Sequence, residues 1–160
     1  MGMAAVLVFI QFALFIHTSS STVIYAVSKE SKSKSIQFFT NLNKDYLSKI
    51  PTDQNIVIYR DWRAYVREQP NWQIEMEWKF ASYEYIQEFK PDVLILEFDN
   101  IHYFSQESVL QNALDPSLGE VRFEFYSDAF NESIDGYKLV YKNDFAYAFF
   151  SNELFSTYYK

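Results

Sequence analysis

Glu97, Asp99 and His102 fall within six positions of one another, in the stretch EFDNIHYFS. Two carboxylates and an imidazole at this spacing have the donor set to hold a divalent metal or to divide general-acid and general-base roles. They follow directly on PDVLILEF, whose four consecutive apolar residues, Val93 to Leu96, read as a strand covered on both faces. Ligands of open α/β sheets bind beyond the carboxyl ends of such strands. If the strand continued past Glu97, residues 97 and 99 would point to the same side. The competing reading is that all three are solvated residues of a loop at the strand end, where polar residues gather in any α/β domain. Outside this cluster the sequence offers no catalytic residue, no cofactor-binding residue and no metal ligand.

Other groups each have a plain alternative. Arg60, Asp61, Arg63 and Arg67 suit an anionic headgroup or a phosphate, and equally an internal ion-pair network. Trp62, Trp72 and Trp78 have faces that stack on a sugar ring, but in a chain with 20% aromatic residues they also serve as core or rim. Glu75 and Glu77 are accounted for as the wet side of a strand. Asn131-Glu132-Ser133 matches a glycosylation sequon and implies a surface position. Gly2, Gly119 and Gly136 are isolated, so no glycine-rich turn is available to bring backbone N–H groups onto a phosphate. The chain has two histidines, His17 and His102, and no cysteine, which removes disulfides, thiol nucleophiles and thiolate metal sites together. A net charge of -7 argues against a nucleic-acid partner, because phosphate neutralisation needs a basic surface.

The elements that position these residues follow from periodicity. Ile36, Phe39, Leu42, Tyr46 and Ile50 recur at helical spacing before Pro51. NIVIYR reads as a buried strand, WRAYVREQP as a short helix, and WQIEMEW as a strand in which Trp72, Ile74, Met76 and Trp78 share one face. Phe80, Tyr83, Ile86 and Phe89 form the stripe of a helix that ends before Pro91. Ser105 caps a further helix through about Leu114, with Glu107 in its first turn, and Asp115-Pro116 ends it. EVRFEFYSDAFNES mixes both periods and is assigned to helix. YKLVYK and FAYAFF flank Asn143-Asp144 as a tight hairpin. Strands alternating with helices predict a small layered α/β domain with a mainly parallel sheet and a C-terminal antiparallel hairpin. With 160 residues, 49% of them hydrophobic, one domain can bury a real core.

The boundaries are a hydrophobic segment at 1–27, a Ser/Lys linker at 28–35 and the α/β domain at 36–160. No residue before Lys29 carries a fixed charge. Ala4 to Ile16 is short for a span, and extending it to Val27 reaches the ~20 residues a bilayer needs. A cleaved signal, a retained anchor and the end of a longer transmembrane helix are all compatible, although the first lacks a basic start. A buried core helix, the remaining alternative, would want a polar face, and from Ala4 to Ile16 only Gln11 interrupts the apolar run. Lys29, Lys32 and Lys34 would pull the domain toward the cytoplasm.

The phrases IPTDQNIVIYRD, SYEYIQEFKPDVLIL and GYKLVYKNDFAYAFF, behind an apolar helix, resemble the soluble C-terminal domain of polytopic membrane glycosyltransferases of the dolichyl-phosphate-mannose-protein mannosyltransferase type. The resemblance runs from about Ile36 to Phe150. It implies an extracytoplasmic accessory domain, against the lysine argument, with the bilayer and the remaining transmembrane domain of a glycosyltransferase as partners and lipid-phosphate-linked sugar as the parent's donor. It also implies that the catalytic acid sits in an early loop between transmembrane helices. This chain has no such loop, so no catalytic residue carries over. The alternative is a stand-alone membrane-anchored or secreted α/β domain that binds a protein or glycan.

Overall fold

The computed structural model describes residues 29–61, 63–75, 81–111 and 116–159. The hydrophobic segment at 1–27 lies outside them, as do Trp62, Met76, Trp78 and Phe80. Residues 34–160 form one compact unit, described here; 29–33 belong to a separate one. No helix among the described residues is long and apolar enough to cross a membrane.

Helix α1 covers 29–45, so the expected linker is helical from residue 29, and a short 3-10 turn, Leu47–Lys49, follows it. The strands are β1 (Ile56–Arg60), β2 (Trp72–Glu75), β3 (Val93–Glu97), β4 (Tyr137–Lys142) and β5 (Ala146–Ser151). The helices after α1 are α2 (Tyr83–Phe89), α3 (Phe98–Phe104), α4 (Glu107–Gln111), α5 (Pro116–Phe130) and α6 (Asn152–Tyr158). The strand order is β2-β1-β3-β5-β4.

The sheet is mixed rather than mainly parallel. β1 pairs in parallel with β2 and β3, whereas β5 is antiparallel to both β3 and β4. The hairpin thus enters the sheet by its second strand. The reason lies in composition: β5 is almost wholly buried, whereas β4 carries exposed Lys138 and Lys142, and lysines are tolerated on an edge. Asn143 closes the hairpin by accepting from the Phe145 and Ala146 N–H groups. The chain then continues into α6, capped by the Ser151 hydroxyl, which accepts from Leu154 N.

Strand alternation sends Ile56, Ile58, Val93, Ile95, Ala146, Ala148 and Phe150 into one core with Phe38, Leu42 and Leu47. Tyr59, Leu94, Leu96, Tyr147 and Phe149 enter a second core with Tyr85, Ile101, Phe125 and Tyr126. Both faces of the sheet are therefore covered, and β3, central and buried throughout, reads as a continuous apolar run for that reason.

Three local expectations are corrected. No helix forms at 63–69, because side chains take the backbone groups a helix would pair internally. The Ser35 hydroxyl donates to Arg63 O and accepts from Tyr65 N, and Arg60 donates to Ala64 O. The DNIHYFS stretch is not a loop but most of α3, since Phe98, Ile101 and Phe104 recur at helical spacing and pack on the second core. Ser105 consequently closes α3, its N–H on Ile101 O, instead of opening the next helix. Pro116 opens α5, where its missing N–H and fixed φ cost nothing. The helix assigned to EVRFEFYSDAFNES is the body of α5.

Candidate functional site at the carboxyl ends of β1 and β3

In the parallel part of the sheet β2 lies on one side of β1 and β3 on the other, so the strand order reverses between β1 and β3. The carboxyl ends of these two strands are where an open α/β sheet holds its ligands. The register pairs Arg60 with Ile95 and so sets Asp61, just beyond β1, beside Glu97 at the end of β3.

Asp61 is 2% exposed. Its Oδ1 accepts from Tyr59 Oη at 3.1 Å, and its Oδ2 accepts from Glu97 N at 2.7 Å and Asn100 Nδ2 at 2.9 Å. One carboxylate thereby joins β1, β3 and the first turn of α3. Burial pushes its pKa up to about 6; the bonds from Asn100 and the Glu97 N–H oppose the shift, and the Glu97 charge adds to it.

Glu97 is 1% exposed and equally committed. Its Oε1 accepts from Arg63 N at 2.7 Å, and its Oε2 pairs with Arg63 Nε. Burial raises its pKa and the adjacent guanidinium works against the rise. Asp99 sits exposed in the first turn of α3 and accepts from Arg63 Nη2 at 3.0 Å. Glu97 and Asp99 are thus brought together, though through an arginine and not along one strand face.

His102 takes no part in this network. It is exposed on α3, its ring stacked on Phe98 at 6.0 Å between centroids and tilted toward Phe130 at 6.5 Å. Among the described residues no group of three His, Asp or Glu side chains is placed to hold a metal ion. Of the other candidates, Arg67 is exposed, Trp72 packs partly buried against the first core, and Asn131, Glu132 and Ser133 form an exposed turn.

The residues that sequence reasoning left out of the cluster are its centre: Asp61, Tyr59, Arg63 and Asn100. A signal for them existed, since Asp61 follows a buried strand as closely as Asp99 follows another. Deeper still, Tyr126 is fully buried and its hydroxyl has no hydrogen-bond partner among the described residues. It nevertheless lies near enough to the Tyr59 hydroxyl and the Ala81 backbone to feel both, and burial holds it far above the usual phenol range.

No known family, curated protein or solved structure matches this chain. The chemistry of the site has to be read from its own atoms. Both buried carboxylates accept hydrogen bonds on both oxygens from groups of the same domain. The arrangement is suited to pinning two strand ends and a helix start in register.

Proposed function

We propose that this chain supplies an extracytoplasmic, non-catalytic accessory domain to a membrane glycosyltransferase that uses lipid-phosphate-linked sugar. The observation that carries the reading is the internal commitment of Asp61 and Glu97. At the place where such a sheet would present reactive groups, the carboxylates are tied to Tyr59, Asn100, Arg63 and the Glu97 N–H. A carboxylate with its lone pairs so engaged is a poor base or nucleophile until those bonds break. The resemblance supports the parent activity: IPTDQNIVIYRD ends in β1, SYEYIQEFKPDVLIL spans α2 and β3, and GYKLVYKNDFAYAFF is the hairpin. These phrases cover the three central strands of the sheet. The apolar stretch ahead of residue 28 supports attachment to a membrane.

A second reading, a stand-alone membrane-anchored or secreted domain that binds a protein or glycan, draws on the exposed aromatics. Tyr103 is 56% exposed and Phe130 46%.

The test is expression of the intact chain in cells, followed by membrane fractionation, protease added from outside and a transfer assay with lipid-phosphate sugar. The accessory reading expects membrane association, degradation of the domain from outside and no transfer by the chain alone. Transfer by the purified chain, abolished in Glu97→Gln, would overturn it. Protection from the external protease would remove the extracytoplasmic assignment.

A further inference from the structure

We propose that Asn131 is the acceptor of an N-linked glycan; the inference rests on the reading that the domain is extracytoplasmic. Asn131-Glu132-Ser133 is the one Asn-x-Ser/Thr triplet in the 160-residue sequence. A glycan is bulky and hydrophilic, so its asparagine has to stand at the surface with its amide uncommitted.

The turn that carries the triplet closes α5. Asn131 N–H donates to Ser127 O at 2.9 Å, Glu132 N–H to Ala129 O at 3.2 Å and Ser133 N–H to Asp128 O at 2.8 Å. The last two bonds are the pair that ends a helix around one left-handed residue. Glu132 is that residue, with φ at 61°. Glycine or asparagine is the usual occupant of such a position, because either tolerates the left-handed conformation. The asparagine of this turn stands one residue earlier, where the backbone does not call for it. Its side chain is not used by the turn either, since carbonyls of α5 already meet all three N–H groups. No hydrogen bond to the Asn131 amide is made among the described residues.

The surroundings leave room. Asn131, Glu132 and Ser133 are all exposed, and Phe130 before them is 46% exposed. Lys142 of β4 donates to the Glu132 carboxylate, which anchors the middle residue of the triplet. The Ser133 hydroxyl has only a long bond to Asp128 O, at 3.4 Å. The two residues that define the acceptor are therefore the two whose side chains the fold leaves almost unengaged.

The donor class is a lipid-pyrophosphate-linked oligosaccharide, and the catalyst is a membrane transferase distinct from this chain. Asn131 Nδ2 attacks C1 of the first sugar and forms the C1–N bond. The C1–O bond to phosphate breaks, and its electron pair leaves with the lipid pyrophosphate. One amide proton passes to a base of the transferase, and nothing is oxidised or reduced.

The test expresses the intact chain in eukaryotic cells, which supply this donor, with a flexible tag containing Asn-Gly-Thr appended after Lys160 to report delivery. Glycans are counted by mass before and after digestion with a peptide amidase, which leaves an aspartate wherever a glycan was attached. The proposal expects two glycans per chain, one after Asn131→Gln or Ser133→Ala, and two with Ser133→Thr. Neither loss variant removes more than the long Ser133 bond, so both should fold. A chain glycosylated on the tag and not at Asn131 overturns the site and leaves the extracytoplasmic reading standing. Two glycans persisting in Asn131→Gln overturn the site as well. A chain with neither glycan overturns the extracytoplasmic reading and the site with it.

Discussion

The two faces of the sheet bury tyrosine in opposite ways. On the face covered by α1 and α6 the strand residues that are buried are all hydrocarbon, Ile56, Ile58, Val93, Ile95 and Phe150 among them. Its tyrosines, Tyr46, Tyr141, Tyr158 and Tyr159, stand partly buried at the margin. Three of their hydroxyls are met there: Tyr159 donates to Tyr46 O at 2.6 Å, Tyr158 donates to Gln54 at 3.3 Å, and Tyr141 accepts from Asn41 Nδ2 at 3.2 Å. On the face covered by α2, α3 and α5, Tyr59 and Tyr126 are fully buried beside Asp61. The first core draws its stability from volume and area, which no proton can alter. The second depends on each buried polar atom finding a partner, and on the state of a carboxyl that titrates near neutrality.

The largest effect should come from the dry face and should ignore pH. Phe150 is fully buried between Tyr46 and Tyr159, with ring centroids 6.2 and 5.6 Å away. Phe150→Ala is expected to lose about 3–5 kcal/mol, transfer free energy plus the cavity left behind. Urea unfolding should report the same loss at pH 5 and pH 7.5. A loss that differed between the two would mean that this face also contains a titrating group.

The polar face should carry the pH dependence, with an unusual sign. The folded pKa of Asp61, about 6, lies above its ordinary 3.8, so between these values the folded protein binds the extra proton. Stability from this group is fully present below pH 3.8 and is lost as the pH rises through 6. The separation corresponds to on the order of 2–3 kcal/mol. Glu97, also raised by burial, acts in the same direction. Asp61→Asn keeps the shape and an acceptor for Glu97 N, and its amide can donate to Tyr59 Oη. We expect this variant to remain folded with a much flatter stability profile between pH 4 and pH 7.5. Subtracting its profile from that of the native chain removes the general effect of discharging surface carboxylates. A variant with an unchanged slope would relocate the titrating group away from Asp61.

How far the sequence foretold these faces depended on how local the determining contacts are. β3 and the Asn143 hairpin were legible because each is set by neighbours in the chain, an apolar run and a turn residue; the body of α5 was assigned to helix although its stretch mixes both periods. The extended form of 63–67 was not, since the hydroxyl that holds it belongs to Ser35, 28 residues earlier. The Asp61–Glu97 centre was equally hidden. Both residues were visible as polar positions, but their union depends on the parallel register of β1 against β3, across 36 residues. α3 is a different kind of miss. Phe98, Ile101 and Phe104 carried the helical period in plain sight, and the loop expected after a strand obscured it.

A smaller loss should separate a met hydroxyl from a missing one. Tyr59→Phe removes the donor to Asp61 Oδ1 and leaves that oxygen without its partner. A hydrogen bond to a charged group contributes about 1.5–3 kcal/mol, so at pH 7.5 the variant should lose an amount in that range. At pH 4, where Asp61 is neutral, the loss should shrink toward the ~1 kcal/mol of a bond between uncharged groups.

The smallest effect belongs to Tyr126, and its sign is the informative part. Its hydroxyl is buried with no partner among the described residues, so it bears a desolvation cost without the bond that would offset it. Tyr126→Phe keeps the ring and its edge-on packing against Phe125, at 5.3 Å. The variant should therefore be unchanged or more stable by up to ~1 kcal/mol at every pH. If it is instead destabilised by more than that, the hydroxyl is engaged, either by an internal water or by a closer approach to Tyr59 Oη. Those two cases separate in the pH profile. A water would cost the same at pH 4 and pH 7.5, whereas a chain running from Tyr126 through Tyr59 to Asp61 would cost more where the carboxyl is charged. In that event the polar face acts as one coupled network, and the Tyr59→Phe and Tyr126→Phe losses should fail to add in the double variant.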